Sequence, residues 1–268
     1  MDVTEIVRDY YNNTVEIEWN RITGRPEFLI TTRFIDRYAL PGYDVLDIGG
    51  GPGRYSLYLA KKGCNVTLLD LSDENVKFAA TQAKEQGLSI ETVRGDARFA
   101  DKLIAKQYDC VLLMGPMYHL LDNDDRIKAM NSALKLLKPG GVIFVSFISV
   151  YGGLIYMTKM EPDLLHSDDP ANRVFTNALL EGKSYAGDAF TKAFFIQPSE
   201  VLPFMEQFPV EKLHLFGQEG IMTLNEDMIY AGSPELIDSF VDFSEKICER
   251  DELLSWSEHL MYVGRLKA

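Results

Sequence analysis

Residues 45–53, Val45-Leu46-Asp47-Ile48-Gly49-Gly50-Gly51-Pro52-Gly53, constrain the fold more than any other part of the chain. The apolar run suits a central parallel strand covered on both faces. It breaks at once into a turn whose glycines, Gly49, Gly51 and Gly53, accept positive φ and let backbone approach a ligand closely. Arg54 to Lys62 reads as the following helix, with Tyr55, Leu57, Leu59 and Ala60 on its buried face. A second apolar strand, Val66-Thr67-Leu68-Leu69, then ends in Asp70. An acid at that point is placed to accept both hydroxyls of an adenosine ribose.

Two ligands compete for such a unit, because dinucleotides and S-adenosylmethionine both sit over the carboxyl ends of parallel strands. A dinucleotide loop carries Gly at its first, third and sixth positions, so that a helix N-terminus meets the pyrophosphate. Counted from Gly49, the sixth position here is Arg54. Asp47, just before the loop, would repel pyrophosphate but suits a ligand with an ammonium and a sulfonium. S-adenosylmethionine has both and no phosphate.

The pattern continues with strand 89–94, a short helix at 98–105, strand 108–113, helix 123–137 and strand 141–147. With strands 44–48 and 65–70 and helices 54–62 and 73–86, this alternation predicts an α/β fold with a doubly wound parallel sheet. Residues 40–150 then resemble the class I S-adenosylmethionine-dependent methyltransferases of the small-molecule type. Asp47 with Gly49, Gly51 and Gly53 is similar to the first motif of that family, and Asp70, followed by Leu71, to its ribose-binding acid. Gly95-Asp96-Ala97 resembles the segment whose acid holds the adenine amino group, and Leu137-Lys138-Pro139-Gly140-Gly141 the turn into the fifth strand. The resemblance implies a seven-stranded, mostly parallel Rossmann-like sheet that closes with an antiparallel hairpin. Strands at 190–196, 210–216 and 257–266 and helices at 198–207 and 234–250 supply the elements for it.

Ahead of the sheet, a helical cap is expected over residues 1–40, with helices at 4–21 and 26–38. In the family such a leader folds over the cofactor, which makes Tyr10, Tyr11, Trp19 and Arg33 candidate contacts. Residues 41–268 form the methyltransferase domain. Within it, 149–187 breaks the alternation and reads as a helical, lid-like insertion without a strand signal. Its Tyr151, Tyr156, Met157, Met160, His166 and Phe175 suit the cover of an apolar pocket, a helical pair on the sheet edge or a dimer contact.

Methyl transfer from a sulfonium is an in-line displacement that needs alignment and exclusion of water. The fourth strand ends at Met114-Gly115-Pro116-Met117-Tyr118-His119. Met114 can offer its carbonyl to the amino group of the cofactor. His119 is the candidate general base, since imidazole titrates near neutrality, and Tyr118 is a candidate to orient the acceptor. The segment lacks the Asn/Asp-Pro-Pro-aromatic sequence of amino-methylating members. The remaining histidines, His166, His214 and His259, are dispersed and predict no metal site.

Charge narrows the partners. Lys and Arg total 27 against 40 Asp and Glu, a formal net charge of −13, which opposes sequence-independent binding to nucleic acid. Cys64, Cys110 and Cys248 are widely spaced and read as reduced, buried thiols. No apolar segment reaches the roughly 18 residues of a membrane span, so the expected protein is cytoplasmic, a monomer or homodimer, with S-adenosylmethionine as cofactor and a small-molecule acceptor. Two alternatives use the same residues: a non-catalytic S-adenosylmethionine-binding regulator and a nicotinamide-dependent oxidoreductase.

Overall fold

Three helices precede the sheet in the computed structural model, which describes residues 2–21 and 24–267: α1 (Val3–Asn13), α2 (Val15–Arg21) and α3 (Pro26–Ile35). The single helix expected over 4–21 is broken at Thr14, where the backbone turns to φ −120° and ψ 15°. The Thr14 hydroxyl donates to the Tyr10 carbonyl at 3.0 Å, a local bond that competes with helix continuation.

The core then alternates through β1 (Asp44–Ile48), α4 (Arg54–Lys61), β2 (Asn65–Asp70), α5 (Asp73–Glu85), β3 (Ile90–Arg94), α6 (Ala100–Leu103), β4 (Tyr108–Leu113), α7 (Asn123–Lys135) and β5 (Leu137–Ser149). These five strands pair in parallel in the order β3-β2-β1-β4-β5. Side chains alternate between the two faces, as the strand period of two requires. Val111 and Leu113 pack with Ala129, Met130 and Ala133 of α7. Cys110 and Leu112 pack on the opposite face with Ile30 and Phe34 of α3. Both faces are therefore dry, which is what holds the ligand-bearing strand ends in register.

Two glycines of the turn after β1 have steric reasons to be glycine. Gly49 has φ 73°, and a Cβ on it would lie 2.4 Å from Pro116 Cδ. Gly53, at φ 92°, precedes α4, and its Cβ would lie 2.9 Å from Ala79 Cβ of α5. The first lets the turns after β1 and β4 touch, and the second seats α4 against α5.

Beyond β5 follow α8 (Val150–Lys159), α9 (Pro170–Leu180), β6 (Tyr185–Asp188), β7 (Lys192–Ile196), α10 (Pro198–Met205), β8 (Val210–Gly217), α11 (Glu226–Tyr230), α12 (Pro234–Ile247), α13 (Asp251–Leu254) and β9 (His259–Leu266). β9 lies between β5 and β8 and runs antiparallel to both, completing the closing hairpin. The expected mostly parallel sheet is present and runs to nine strands, β7, read as strand 190–196, pairing with β6 in an antiparallel hairpin. β7 joins β5 only at Ile148↔Phe195 and Ser149↔Ile196, past the last β4 pair, Leu113↔Val145. The hairpin thus sits beyond the carboxyl end of β4. Tyr185-Ala186-Gly187-Asp188 carries no readable alternation and is a strand because β7 pairs with it. Residues 149–187, read as a helical insertion without a strand signal, therefore hold α8, α9 and most of a strand. All three cysteines are buried and free.

Candidate functional site

A cavity opens over the carboxyl ends of β1 to β4, beneath the leader helices. At its centre Asp70 closes β2. Its Oδ2 accepts the Gly51 N–H at 2.8 Å, and its Oδ1 accepts the Ser72 N–H at 2.8 Å and the Asn75 side-chain amide at 3.2 Å. These bonds set the rotamer of the acid and tie the glycine turn to β2. Burial raises its pKa against their pull. Asp47 lies under the turn, accepting the Ser56 hydroxyl at 2.7 Å. Burial pushes its carboxyl up to about 7 against that bond, and the charge of Asp70 adds to the rise.

At the other end Asp96 accepts the Arg98 N–H at 2.9 Å. The Arg98 guanidinium also reaches Asp125 at 2.6 Å and the Thr4 hydroxyl at 2.9 Å, joining this end to α7 and α1. Gly49, Gly51, Leu71, Ala97 and Met114 complete the part of the lining read from the sequence. Every arginine in the lining is engaged: Arg8 with Asp9, Arg21 with Glu18 and Glu27, Arg54 with Trp19, and Arg98 with its two acids. Asp47, Asp70, Asp96, Asp122 and Asp125 face the same space. Such a lining opposes a diphosphate and favours a ligand that carries positive charge.

His119 does line this cavity, but its two nitrogens are taken. Nδ1 lies 3.0 Å from the Lys192 carbonyl of β7, which can only accept, so Nδ1 carries the proton. Nε2 therefore accepts from the Tyr11 hydroxyl at 2.7 Å. Burial pulls the imidazole down to about 4, with the Lys192 carbonyl opposing. A neutral, doubly bonded ring is a structural joint between leader, β4 and the extra hairpin. The general-base role expected of His119 would require Tyr11 to release Nε2. Tyr118, with its hydroxyl held protonated by burial, faces both this cavity and the next.

Arg33 and Gly53 do not line the cavity. Arg33 points from α3 to α12, where its guanidinium meets Asp242 at 2.6 Å and Glu245 at 2.7 Å. It was expected near the cofactor because it lies on the leader, but α3 packs its polar side against an acidic helix. Gly53 stands behind the turn against Ala79, so it shapes the loop without reaching the ligand space. Trp19 docks under Arg54, whose guanidinium lies 3.4 Å from its ring centroid.

A second cavity, of about 650 Å³, adjoins the first and shares Tyr11, Glu18, Arg21 and Tyr118 with it. Tyr10, Tyr156, Phe175, Phe190 and Phe195 give it an aromatic wall drawn from α1, α8, α9 and the β6–β7 hairpin. Between the cavities lies a chain of charges. Glu219 Oε1 accepts from His259 Nδ1 at 2.6 Å, and its Oε2 accepts the His259 backbone N–H at 3.0 Å. Arg21 donates to Glu27 at 2.8 Å and to Glu18 at 3.0 Å. Ligating atoms of Glu27, Glu219 and His259 all lie within 4.8 Å of one another. Burial alone would lower the His259 pKa, but the charges of Glu219 and Glu27 and the Glu219 bond raise it to about 9. These carboxylates favour the protonated ring, which with Arg21 offsets their charge.

Residues 45–141 match the family profile described as a methyltransferase domain. This stretch, β1 to the start of β5, is a methyltransferase domain. A ubiquinone biosynthesis O-methyltransferase of Erwinia tasmaniensis is 28% identical over 184 residues, an alignment that covers 66% of this chain and 65% of that protein. The fold is also that of the Synechocystis magnesium protoporphyrin IX methyltransferase, solved with S-adenosylhomocysteine (TM-score 0.59, 16% identity, 99% of this chain and 100% of that one). A 1,6-didemethyltoxoflavin-N1-methyltransferase of Burkholderia thailandensis, solved with its substrate and S-adenosylhomocysteine, matches with a TM-score of 0.60 at 16% identity, covering 98% of this chain and 88% of that one.

Arg21, Glu27, Glu219, Glu258 and His259 are the residues of the site that sequence reasoning missed. One signal was available. In a parallel sheet the ligand edge is the end of each strand, but an antiparallel strand begins at that edge, and Ile148↔His259 is the register that puts Glu258-His259 there. Glu27 and Glu219 gave no such sign, lying on a helix face and in a segment with no regular period.

Proposed function

We propose that the chain transfers a methyl group from S-adenosylmethionine to a small-molecule acceptor. The observation that carries this reading is the pair of adjoining cavities, one acid-lined at the strand ends and one walled by aromatic rings, with Tyr11, Glu18, Arg21 and Tyr118 common to both. Asp47, Gly49, Gly51, Asp70, Leu71, Asp96, Ala97 and Met114 would hold the cofactor, which supplies an electrophilic methyl when bound. Asp70 lies where strand-end acids take ribose hydroxyls, and Asp96 and Ala97 bound the opposite end of the same groove. The leader and the hairpin meet beside the shared wall, Tyr10 and Phe190 with ring centroids 6.0 Å apart.

The second cavity suits an aromatic or otherwise planar acceptor, held by dispersion and ring contacts. No helix of the described residues is long and apolar enough to cross a membrane, and the net charge of −13 opposes nucleic acid. Both support a soluble, cytoplasmic setting and a small acceptor. A non-catalytic regulator would need no second cavity, and a nicotinamide enzyme would need a lining that tolerates diphosphate. Calorimetry with S-adenosylmethionine, S-adenosylhomocysteine and NADH tests the cofactor, and a labelled-methyl assay on fractionated small molecules tests transfer. Binding of NADH alone, or cofactor binding with no labelled product from any fraction, overturns the proposal.

A further inference from the structure

Two polar groups that the second cavity offers a guest, beside the Tyr10 and Tyr118 hydroxyls, stand together at the start of β9. His259 Nδ1 is committed to Glu219, and among the described residues no hydrogen bond joins its opposite nitrogen, Nε2. The imidazole keeps 12% of its surface exposed and lines the cavity. Glu258 lines it too, and the nearest cation to its carboxylate, Lys159, is 4.0 Å away. The other carboxylates there have partners: Asp188 holds Lys192, Glu161 accepts the Tyr156 hydroxyl, Glu18 holds Arg21, and Asp169 caps α9. The cavity thus presents, side by side, a ring nitrogen and a carboxylate that no hydrogen bond engages among the described residues, the carboxylate paired only at 4.0 Å with Lys159, next to the wall shared with the cofactor cavity.

We propose that His259 and Glu258 form an acceptor-recognition pair for a hydroxyl group, His259 donating to the acceptor oxygen and Glu258 receiving its proton. This rests on the methyltransferase reading above. A hydroxyl both accepts and donates at a single atom, which is what a donor and a carboxylate side by side demand; a methyl group satisfies neither. In transfer the hydroxyl oxygen gains the methyl carbon and releases its proton to Glu258, while the electron pair of the broken carbon–sulfur bond stays with sulfur. Glu219 is a positioning residue, holding the imidazole by two bonds.

The charged groups facing the pair are Glu18 and Arg21 of α2, Glu27 of α3, Lys159 of α8, Glu219 after β8 and Glu226 of α11, with the Tyr118 ring beside them. Burial and the Glu219 charge push Glu258 up to about 7. Its carboxylate therefore takes up a proton in the neutral range, where the His259 ring keeps its own. Affinity for a hydroxyl should rise as pH passes 7 and fall above 9.

The test uses three isosteric probes, 5-hydroxyindole, 5-aminoindole and 5-methylindole, titrated by calorimetry into the full chain saturated with S-adenosylhomocysteine. The hydroxy probe should bind about tenfold more tightly than either isostere, the discrimination a hydrogen-bonding site gives at its low end. His259→Gln and Glu258→Gln should each erase that preference with S-adenosylhomocysteine affinity unchanged. Equal binding of the three probes, no binding of the hydroxy probe at millimolar concentration, or a preference that survives both substitutions overturns the inference. Failure of the wild type to bind S-adenosylhomocysteine would instead sink the underlying methyltransferase reading. Should a variant misfold, nitrogen NMR of the wild type decides: Nε2 of His259 must keep its proton at pH 8 and shift when 5-hydroxyindole binds.

Discussion

Replacing His119 with Ala removes a ring that joins the leader, β4 and the β6–β7 hairpin. The Tyr11 hydroxyl and the Lys192 carbonyl each lose a partner, at a cost of roughly 1–3 kcal/mol per stranded group. The effect also has a pH signature. His119 titrates near 4 when folded, against an ordinary 6.5. Its stabilising contribution is therefore complete above the unfolded value and is lost as pH falls through the folded one. At about 1.4 kcal/mol per pH unit, the wild type should lose roughly 2 kcal/mol of stability between pH 6.5 and pH 5 from this one group. The variant should not lose it. Urea unfolding of both proteins at pH 7 and pH 5 measures the difference, and groups common to both, such as Asp47, cancel. A gap between wild type and variant that is the same at the two pH values, or an NMR titration of His119 near 6.5, would refute the reasoning.

Three further outcomes follow from the site. Asp70→Asn should weaken S-adenosylmethionine binding about tenfold, the value of one charge-assisted hydrogen bond, as read by calorimetry; unchanged affinity would remove Asp70 from the cofactor site. Arg33→Ala should leave that affinity unchanged and lower stability by less than about 1 kcal/mol, because its ion pairs to α12 are partly exposed. Gly49→Ala forces a side chain into a positive φ and against Pro116, so it should cost roughly 2 kcal/mol or more and abolish cofactor binding, both measurable on one thermal-shift plate.

The central strands and the glycine turn were legible because burial on both faces writes itself as apolar runs, and because positive φ writes itself as glycine. Asp70 and Asp96 were legible for the same reason, each standing where a parallel strand stops. The charge chain was not. Glu27 on α3 and Glu219 after β8 meet only through the closing hairpin, and no local pattern announces a contact across 192 positions of the chain. The position of His119 at the end of β4 was visible and its partners were not: the Lys192 carbonyl arrives on a hairpin whose first strand has no alternation, and Tyr11 arrives on the leader. Arg33 was misplaced by the same limit, since nothing in 26–38 tells which side of α3 faces α12.

The antiparallel course of β9 has a practical corollary for handling the protein. Asp2 and Val3 stand at the rim of the first cavity, whereas Arg265 pairs with Val142 at the far edge of the sheet. A purification tag or surface linker joined ahead of Asp2 emerges at the mouth of the ligand space and competes with whatever enters it. One joined after Lys267 emerges on the opposite side, so an immobilised or fluorescent fusion should be built from that end.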